Sequence, residues 1–87
     1  MYELALYIAG DTPRSKEVIG KLTALLENEL PGQYSLKIID ILENPELAEE
    51  DGILATPTLI RTVPAPERRM VGDFSDAERV LAGMQLQ

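Results

Sequence analysis

The stretch ILATPTLI, residues 53–60, decides the fold, because it sets Pro57 between two threonines at the start of an apolar run. Proline cannot donate to the hydrogen-bond ladder of a sheet, so it is excluded from central strands but tolerated at the first residue of a strand. The pattern therefore predicts a strand over residues 58–63, entered through a turn at Thr56 and Pro57. A cis peptide bond is one way to build this turn, and a trans proline at an edge strand is the other.

Upstream of this turn the sequence predicts a strand, a helix and a second strand. Residues 2–10, YELALYIAG, are apolar on both faces of a pleated strand, as in a strand buried on both sides. Thr12 is a predicted N-cap with Pro13 at the first helical position, and the PG at 31–32 ends the helix. YSLKIIDIL, residues 34–42, predicts the second strand.

Downstream elements alternate in the same way. Asn44 followed by Pro45 predicts the start of a short helix that reaches Gly52. After the strand that follows Pro57, the turn PAPE at 64–67 leads into RRMVG, residues 68–72, as an antiparallel return.

The last helix is predicted from a capping box of Ser75 and Glu78. The complete order β-α-β-α-β-β-α over residues 1–87 is that of the thioredoxin fold, an α/β class, in one domain. In that fold a cis-proline precedes the third strand, close to the start of the first helix. We therefore predict a cis Thr56–Pro57 bond.

The C-terminal tail fits two structures equally well. Apolar residues at 80, 82, 84 and 86 match a strand face, while those at 80, 81 and 84 match a helix face. Gly83 weakens a helix there by roughly 1 kcal/mol relative to alanine. A definite N-terminal half beside an ambiguous C-terminal half is a pattern expected of a protein with two packings, although ordinary local ambiguity explains it too.

Composition excludes most chemistry. The chain has eight basic and fifteen acidic residues, a net charge of −7, and neither cysteine nor histidine. It therefore has no thiol or imidazole catalyst, and its charge opposes non-specific nucleic-acid binding. The acids at 46–51 lack the spacing of a calcium loop, and the glycines form no phosphate-binding motif. We expect no catalytic, metal or cofactor site, no membrane segment and a cytoplasmic protein.

Local clusters of basic residues suggest a protein partner instead. On a chain of net charge −7 such clusters favour recognition of an acidic surface, with plain solvated charge as the alternative. The candidate partner-binding residues lie on the first helix, the second strand and the hairpin: Arg14, Lys16, Lys21, Lys37, Arg61, Arg68 and Arg69.

Three stretches together resemble the KaiB family of cyanobacterial circadian clock proteins. They are LYIAGDTPRS, the long run YSLKIIDILENPELAEEDGILATPTL, and RRMVGDFSDAERVLAG. The resemblance implies a non-catalytic protein that binds the ATPase ring of KaiC, with KaiA and a histidine kinase network as further candidate partners. It also implies metamorphic behaviour, in which the C-terminal half rearranges into a βαββααβ fold that assembles as a tetramer.

Several positions depart from the family pattern. Asp11 replaces a usual asparagine, Gly52 replaces a usual lysine, and Gln85 replaces a usual aspartate near the C-terminus; Lys37 agrees with the family. From the altered tail we expect the thioredoxin-like form to be the resting state, as a monomer. Thr56, Pro57, Gly83 and Gln85 are the residues where we expect the two folds to part.

Three functions remain open at this point. The first is a KaiB-like regulatory module, or a divergent paralogue acting as a signalling or stress adaptor outside the clock. The second is a thioredoxin-fold protein without its thiol that binds a small molecule beside Pro57. The third is a structural oligomer with one fixed fold.

Overall fold

The computed structural model describes residues 1–72 and 74–86, and the predicted order of elements is confirmed there. The strands and helices are β1 (Tyr2–Ile8), α1 (Pro13–Glu29), β2 (Tyr34–Asp40), α2 (Pro45–Glu50), β3 (Thr58–Val63), β4 (Arg68–Val71) and α3 (Ala77–Gly83). They form one four-stranded sheet in the order β2-β1-β3-β4. β1 runs parallel to β2 and antiparallel to β3, which in turn pairs antiparallel with β4.

The Thr56–Pro57 peptide bond is cis, as predicted, and Pro57 immediately precedes β3. The bonds Val63–Pro64 and Ala65–Pro66 in the hairpin turn are also cis, which the sequence did not indicate. Proline thus stands at both ends of β3, in positions where no ladder hydrogen bond is lost.

Central strand β1 is buried on both faces, as its sequence predicts. On one face the buried leucines Leu4 and Leu6 pack against the apolar stripe of α1, whose most buried members are Val18, Leu22 and Leu26. On the other face Tyr7, 1% exposed, packs with Ile39 and Ile60 in a smaller cluster. Two covering layers are therefore needed, and Ile41 and Ile53, which lie on either side of α2 in the sequence, contribute to the second.

The sequence predicted the N-cap of α1 correctly but misplaced that of α3. Thr12 caps α1 as expected, since its Oγ1 accepts a hydrogen bond from the Ser15 backbone N–H at 3.0 Å. The predicted capping box at Ser75 and Glu78 is wrong by one residue. Asp76 is the N-cap of α3, because its carboxylate accepts from the Arg79 N–H at 3.2 Å. A carboxylate at this position also interacts favourably with the helix dipole.

The ambiguous tail is helical here and ends in a Schellman motif. The Leu86 N–H donates to the Leu81 carbonyl at 2.8 Å, and the Gln85 N–H donates to the Ala82 carbonyl at 3.2 Å. Gln85 has a φ of 52°, in the left-handed region that favours glycine. The side chains of Met84 and Leu86, which follow α3, are buried in the core.

Arg61 does not belong to the exposed surface where we predicted a partner contact. Its side chain is 2% exposed and points to the helical face of the sheet. The guanidinium donates to the carbonyls of Met84 (3.0 Å), Gln85 (3.1 Å) and Pro66 (2.8 Å). Arg61 therefore fastens both the hairpin turn and the C-terminus to β3, a role its position in the sequence did not reveal.

We expect Gln85→Gly to stabilise the protein by roughly 0.5–1 kcal/mol, because glycine adopts the left-handed conformation without the clash of a Cβ atom. Urea unfolding followed by circular dichroism measures this change. Gln85→Ala is the matched control and should give no gain, since its Cβ remains. Equal stability of the two variants would contradict the explanation.

We expect Arg61→Ala to destabilise the protein by about 3 kcal/mol, because three backbone carbonyls lose their donor in a buried setting. Arg69→Ala, which removes an exposed arginine from the next strand, should cost less than about 1 kcal/mol. The urea midpoints of the two variants measure these losses of stability. Similar losses would show that the buried hydrogen bonds of Arg61 contribute little to stability.

Candidate functional site

A small cleft lies where β1 ends, α1 begins and the Pro57 turn crosses them. It has a volume of about 160 Å³. Its lining combines apolar and hydroxyl-bearing side chains with one arginine: Ile8, Ala9, Thr12, Arg14, Ser15, Val18, Thr56 and Pro57. The edge at the carboxyl end of a parallel strand is where α/β proteins generally bind their ligands.

The turn beside the cleft is held by its own hydrogen bonds. Thr58 Oγ1 donates to the Ala55 carbonyl at 2.6 Å, and the Gly72 N–H donates to the Pro57 carbonyl at 3.3 Å. The first bond closes the turn on itself, and the second ties it to the end of β4. The turn is therefore presented as a fixed shape.

The hydroxyl groups of the cleft serve structure and offer no nucleophile. Thr12 and Ser15 are joined by a 3.1 Å hydrogen bond between their side-chain oxygens, and Thr12 is also the helix cap. A serine or threonine nucleophile needs an adjacent base, and the chain has no histidine. Arg14 is the charged residue of the lining. The arrangement favours recognition over group transfer.

Leu54, beside this cleft, is a residue that the sequence reasoning missed. Its side chain is 98% exposed, three residues before Pro57. Leu42 (70% exposed) and Leu47 (42% exposed) belong to the same segment between β2 and β3. An apolar residue between an acidic helix and a proline turn was the available signal, because such a residue has no amphipathic face to join. Single exposed apolar residues are common on protein surfaces, so it is the nearly complete exposure of Leu54 that makes it a candidate contact residue.

The structure disperses the predicted basic residues. Arg14 lies in the cleft beside Pro57, while Lys16 and Lys21 are exposed on α1, 3.8 Å from Asp11 and 4.0 Å from Glu17 respectively. Such exposed pairs contribute at most about 1 kcal/mol, so both lysines remain available to a partner.

The other basic residues lie elsewhere. Lys37 is exposed on β2, at the edge of the sheet away from the hairpin. Arg69 is exposed on β4 and pairs with Glu67 at 2.8 Å. Arg61 and Arg68 lie on the other face of the sheet, the one that the helices cover. The four residues therefore do not form one patch with Arg14.

A buried tyrosine anchors the segment that carries Leu54. The Tyr7 hydroxyl donates to Asp51 Oδ2, so the C-terminal end of β1 is joined to the end of α2. Burial, together with this hydrogen bond, raises the pKa of Tyr7 to about 12. At the other end of the segment, Asp40 Oδ1 accepts from the N–H groups of Gly10 and Leu42, each at 2.9 Å.

The proposed switch residues lie at the joints of the C-terminal half. Thr56 and Pro57 precede β3, Gly83 ends α3 and Gln85 forms the left-handed residue after it. A Cβ atom at Gly83 would overlap the terminal methyl of Met70 on β4, which would have to shift to make room for it. Across residues 1–72 and 74–86 we find neither a cluster of potential metal ligands nor a helix able to cross a membrane.

The fold and the cleft beside a cis-proline define the class: this is a thioredoxin-like protein without a thiol. Solved structures agree. The N-terminal domain of SasA from Synechococcus elongatus aligns with a TM-score of 0.79 at 23% identity, covering 99% of this chain and 85% of that one. Mitochondrial thioredoxin 3 from Saccharomyces cerevisiae aligns with a TM-score of 0.75 at 18% identity, covering 97% and 76% respectively.

Sequence comparison then gives the family. The family described as KaiB domain matches residues 5–86. The circadian clock oscillator protein KaiB of Prochlorococcus marinus strain MIT 9303 is 58% identical over 98% of this chain and 71% of its own length. The protein of the same name from Acaryochloris marina is 55% identical over 98% and 82%. The chain belongs to the KaiB family, as the resemblance in its sequence predicted.

We expect Tyr7→Phe to destabilise the protein by about 1 kcal/mol near pH 8, through loss of the hydrogen bond to Asp51. The raised pKa means that the folded state holds the Tyr7 proton more tightly than the unfolded state. The contribution of the hydroxyl is therefore complete below pH 10 and declines as the pH rises from about 10 to 12.

Urea midpoints of the wild type and Tyr7→Phe at pH 8 and at about pH 11 measure this difference. Tyr34→Phe is the control, because the Tyr34 hydroxyl also bonds a carboxylate, that of Glu27, but at an exposed site. The control should lose less, and a wild-type advantage over Tyr7→Phe that does not shrink with rising pH would refute the assignment.

Proposed function

We propose that this chain is a non-catalytic regulator of the circadian clock that acts by binding a KaiC-type ATPase ring. Its KaiB relatives, named circadian clock oscillator proteins, support the clock role at 55–58% identity. The absence of cysteine and histidine supports a mechanism of surface recognition. Burial of an interface, with no bond made or broken, is then the whole of the chemistry.

The observation that carries the proposal is the fully exposed Leu54 beside the Pro57 turn. A leucine that is 98% exposed gains free energy when a partner covers it, and the turn next to it is held rigid. Arg14 in the adjacent cleft and Lys16 on α1 supply positive charge for an acidic or polar partner. We place the ATPase-binding surface on these residues.

A second surface is proposed for a KaiA-type partner. β2 is an edge strand, so one row of its backbone hydrogen-bonding groups has no strand beside it. Addition of a strand from a partner satisfies such a row, and exposed Lys37 in the middle of β2 offers a charge for specificity. A histidine kinase network is proposed as a further partner of this chain. No membrane or nucleic-acid partner is proposed.

Fold switching belongs to the proposal as well. We propose that the thioredoxin-like form is the monomeric resting state, and that a tetrameric βαββααβ form arises by rearrangement after Pro57. The contacts of the tail support this: it packs on the core through Val80, Met84 and Leu86, but the position of the residues after α3 also depends on hydrogen bonds from one side chain, Arg61.

We expect Leu54→Asp to weaken binding to a purified, ATP-bound KaiC-type ring at least about tenfold, the effect of losing an apolar anchor. Val63→Asp is the matched control, because Val63 is 39% exposed at the opposite end of β3. Isothermal titration calorimetry of both variants and the wild type measures the affinities.

The possible outcomes distinguish a wrong partner from a wrongly placed binding surface. A wild-type protein that fails to bind the ring contradicts the proposed function itself. Wild-type binding that Leu54→Asp leaves intact, or that Val63→Asp weakens equally, contradicts only the placement of the surface.

A further inference from the structure

Two arginines lie side by side on the helical face of the hairpin. Arg61 of β3 and Arg68 of β4 are direct cross-strand partners. Each is two residues from a core side chain, Leu59 and Met70 respectively, so both point toward the helices. Like charges placed directly opposite one another on a sheet destabilise it.

Neither guanidinium has a carboxylate partner within residues 1–72 and 74–86. The ion pairs of this part of the chain engage Lys16, Lys21 and Arg69 instead. The terminal nitrogens of Arg61 donate hydrogen bonds to backbone carbonyls, which carry no net charge. Among the described residues no carboxylate therefore pairs with these two positive charges, although the net charge of the protein is −7.

The hydrogen bonding of the two arginines is also incomplete. The Nε atoms of Arg61 and Arg68 are both buried and both lack an acceptor. Arg68 is half-buried, and its terminal nitrogens, which have no acceptor in the described part of the chain, reach solvent. A buried donor without an acceptor is costly, so the two guanidinium groups are held side by side at a cost in both charge repulsion and hydrogen bonding, and a ligand that offsets the charge would reduce that cost.

We propose that Arg61 and Arg68 form a binding site for one oxyanion, of the phosphate or carboxylate class. A guanidinium matches two oxygens of such a group at once, and its hydrogen bonds to an anion are about twice as strong as neutral ones. The anion binds the solvent-facing nitrogens of Arg68. Buried Arg61 does not contact it but attracts it electrostatically. Binding removes the repulsion between the two arginines, so it stabilises the fold.

The direct test follows the arginine Nε–H signals in a ¹H–¹⁵N correlation spectrum. Inorganic phosphate and, separately, acetate are titrated into the protein at constant ionic strength with chloride. We expect the signals of Arg61 and Arg68 to shift and saturate, while that of Arg69, which already bonds Glu67, stays in place. Saturation by phosphate alone or by acetate alone identifies the class of ligand. Shifts that never saturate, or that are equal for all arginines, overturn the proposal.

A stability test uses the variant Arg68→Gln, which removes one charge and no hydrogen bond. In chloride we expect this variant to melt at or above the wild-type temperature, because the repulsion is gone. Roughly 100 mM of the binding anion should raise the wild-type Tm by about 5 °C over matched chloride, and the variant much less.

Arg79→Gln is the control for the general stabilising effect of phosphate salts. Arg79 is exposed on α3, and its side chain takes no part in the pair. It should keep the full anion response of the wild type. An anion response that survives in Arg68→Gln, or that Arg79→Gln also loses, refutes the site.

Discussion

Burial of β1 on both faces is the constraint from which the rest of this structure follows. Leu6 is completely buried on one side and Tyr7 is 1% exposed on the other, in adjacent positions of the same strand. β3, its central neighbour, is buried on both faces in the same way through Leu59 and Ile60, so the sheet needs a covering layer on each side. The long amphipathic α1 covers the first face, and the shorter segment around α2 covers the second.

The unequal quality of these two layers explains where the candidate surface lies. α1 offers a continuous apolar stripe, whereas α2 spans six residues and has no buried side chain. The second layer is therefore held by individual contacts, above all the hydrogen bond from Tyr7 to Asp51. A segment fixed at a few points leaves side chains such as Leu54 outside the core, where a partner can reach them.

Polar contacts also hold the C-terminal half. Arg61 joins β3 to the hairpin turn and to the residues after α3, beside the apolar contacts that Met84 and Leu86 make with the core. The buried cation makes this arrangement specific, because each carbonyl must be in position to accept its hydrogen bond. The position of the tail therefore depends on one polar side chain as well as on the shared core.

What the sequence determined by itself was the set of elements and the turn that joins them. The apolar pattern of residues 2–10, the cap at Thr12 and the proline before β3 are local signals, and each acts through the few residues around it. The tertiary structure decided whatever depends on contacts distant in sequence: the helical tail, the exposure of Leu54 and the burial of Arg61. An arginine beside a turn looks the same in a sequence whether it faces solvent or a pair of carbonyls more than twenty residues away. Only the assembled sheet and α3 fix which of the two surrounds it.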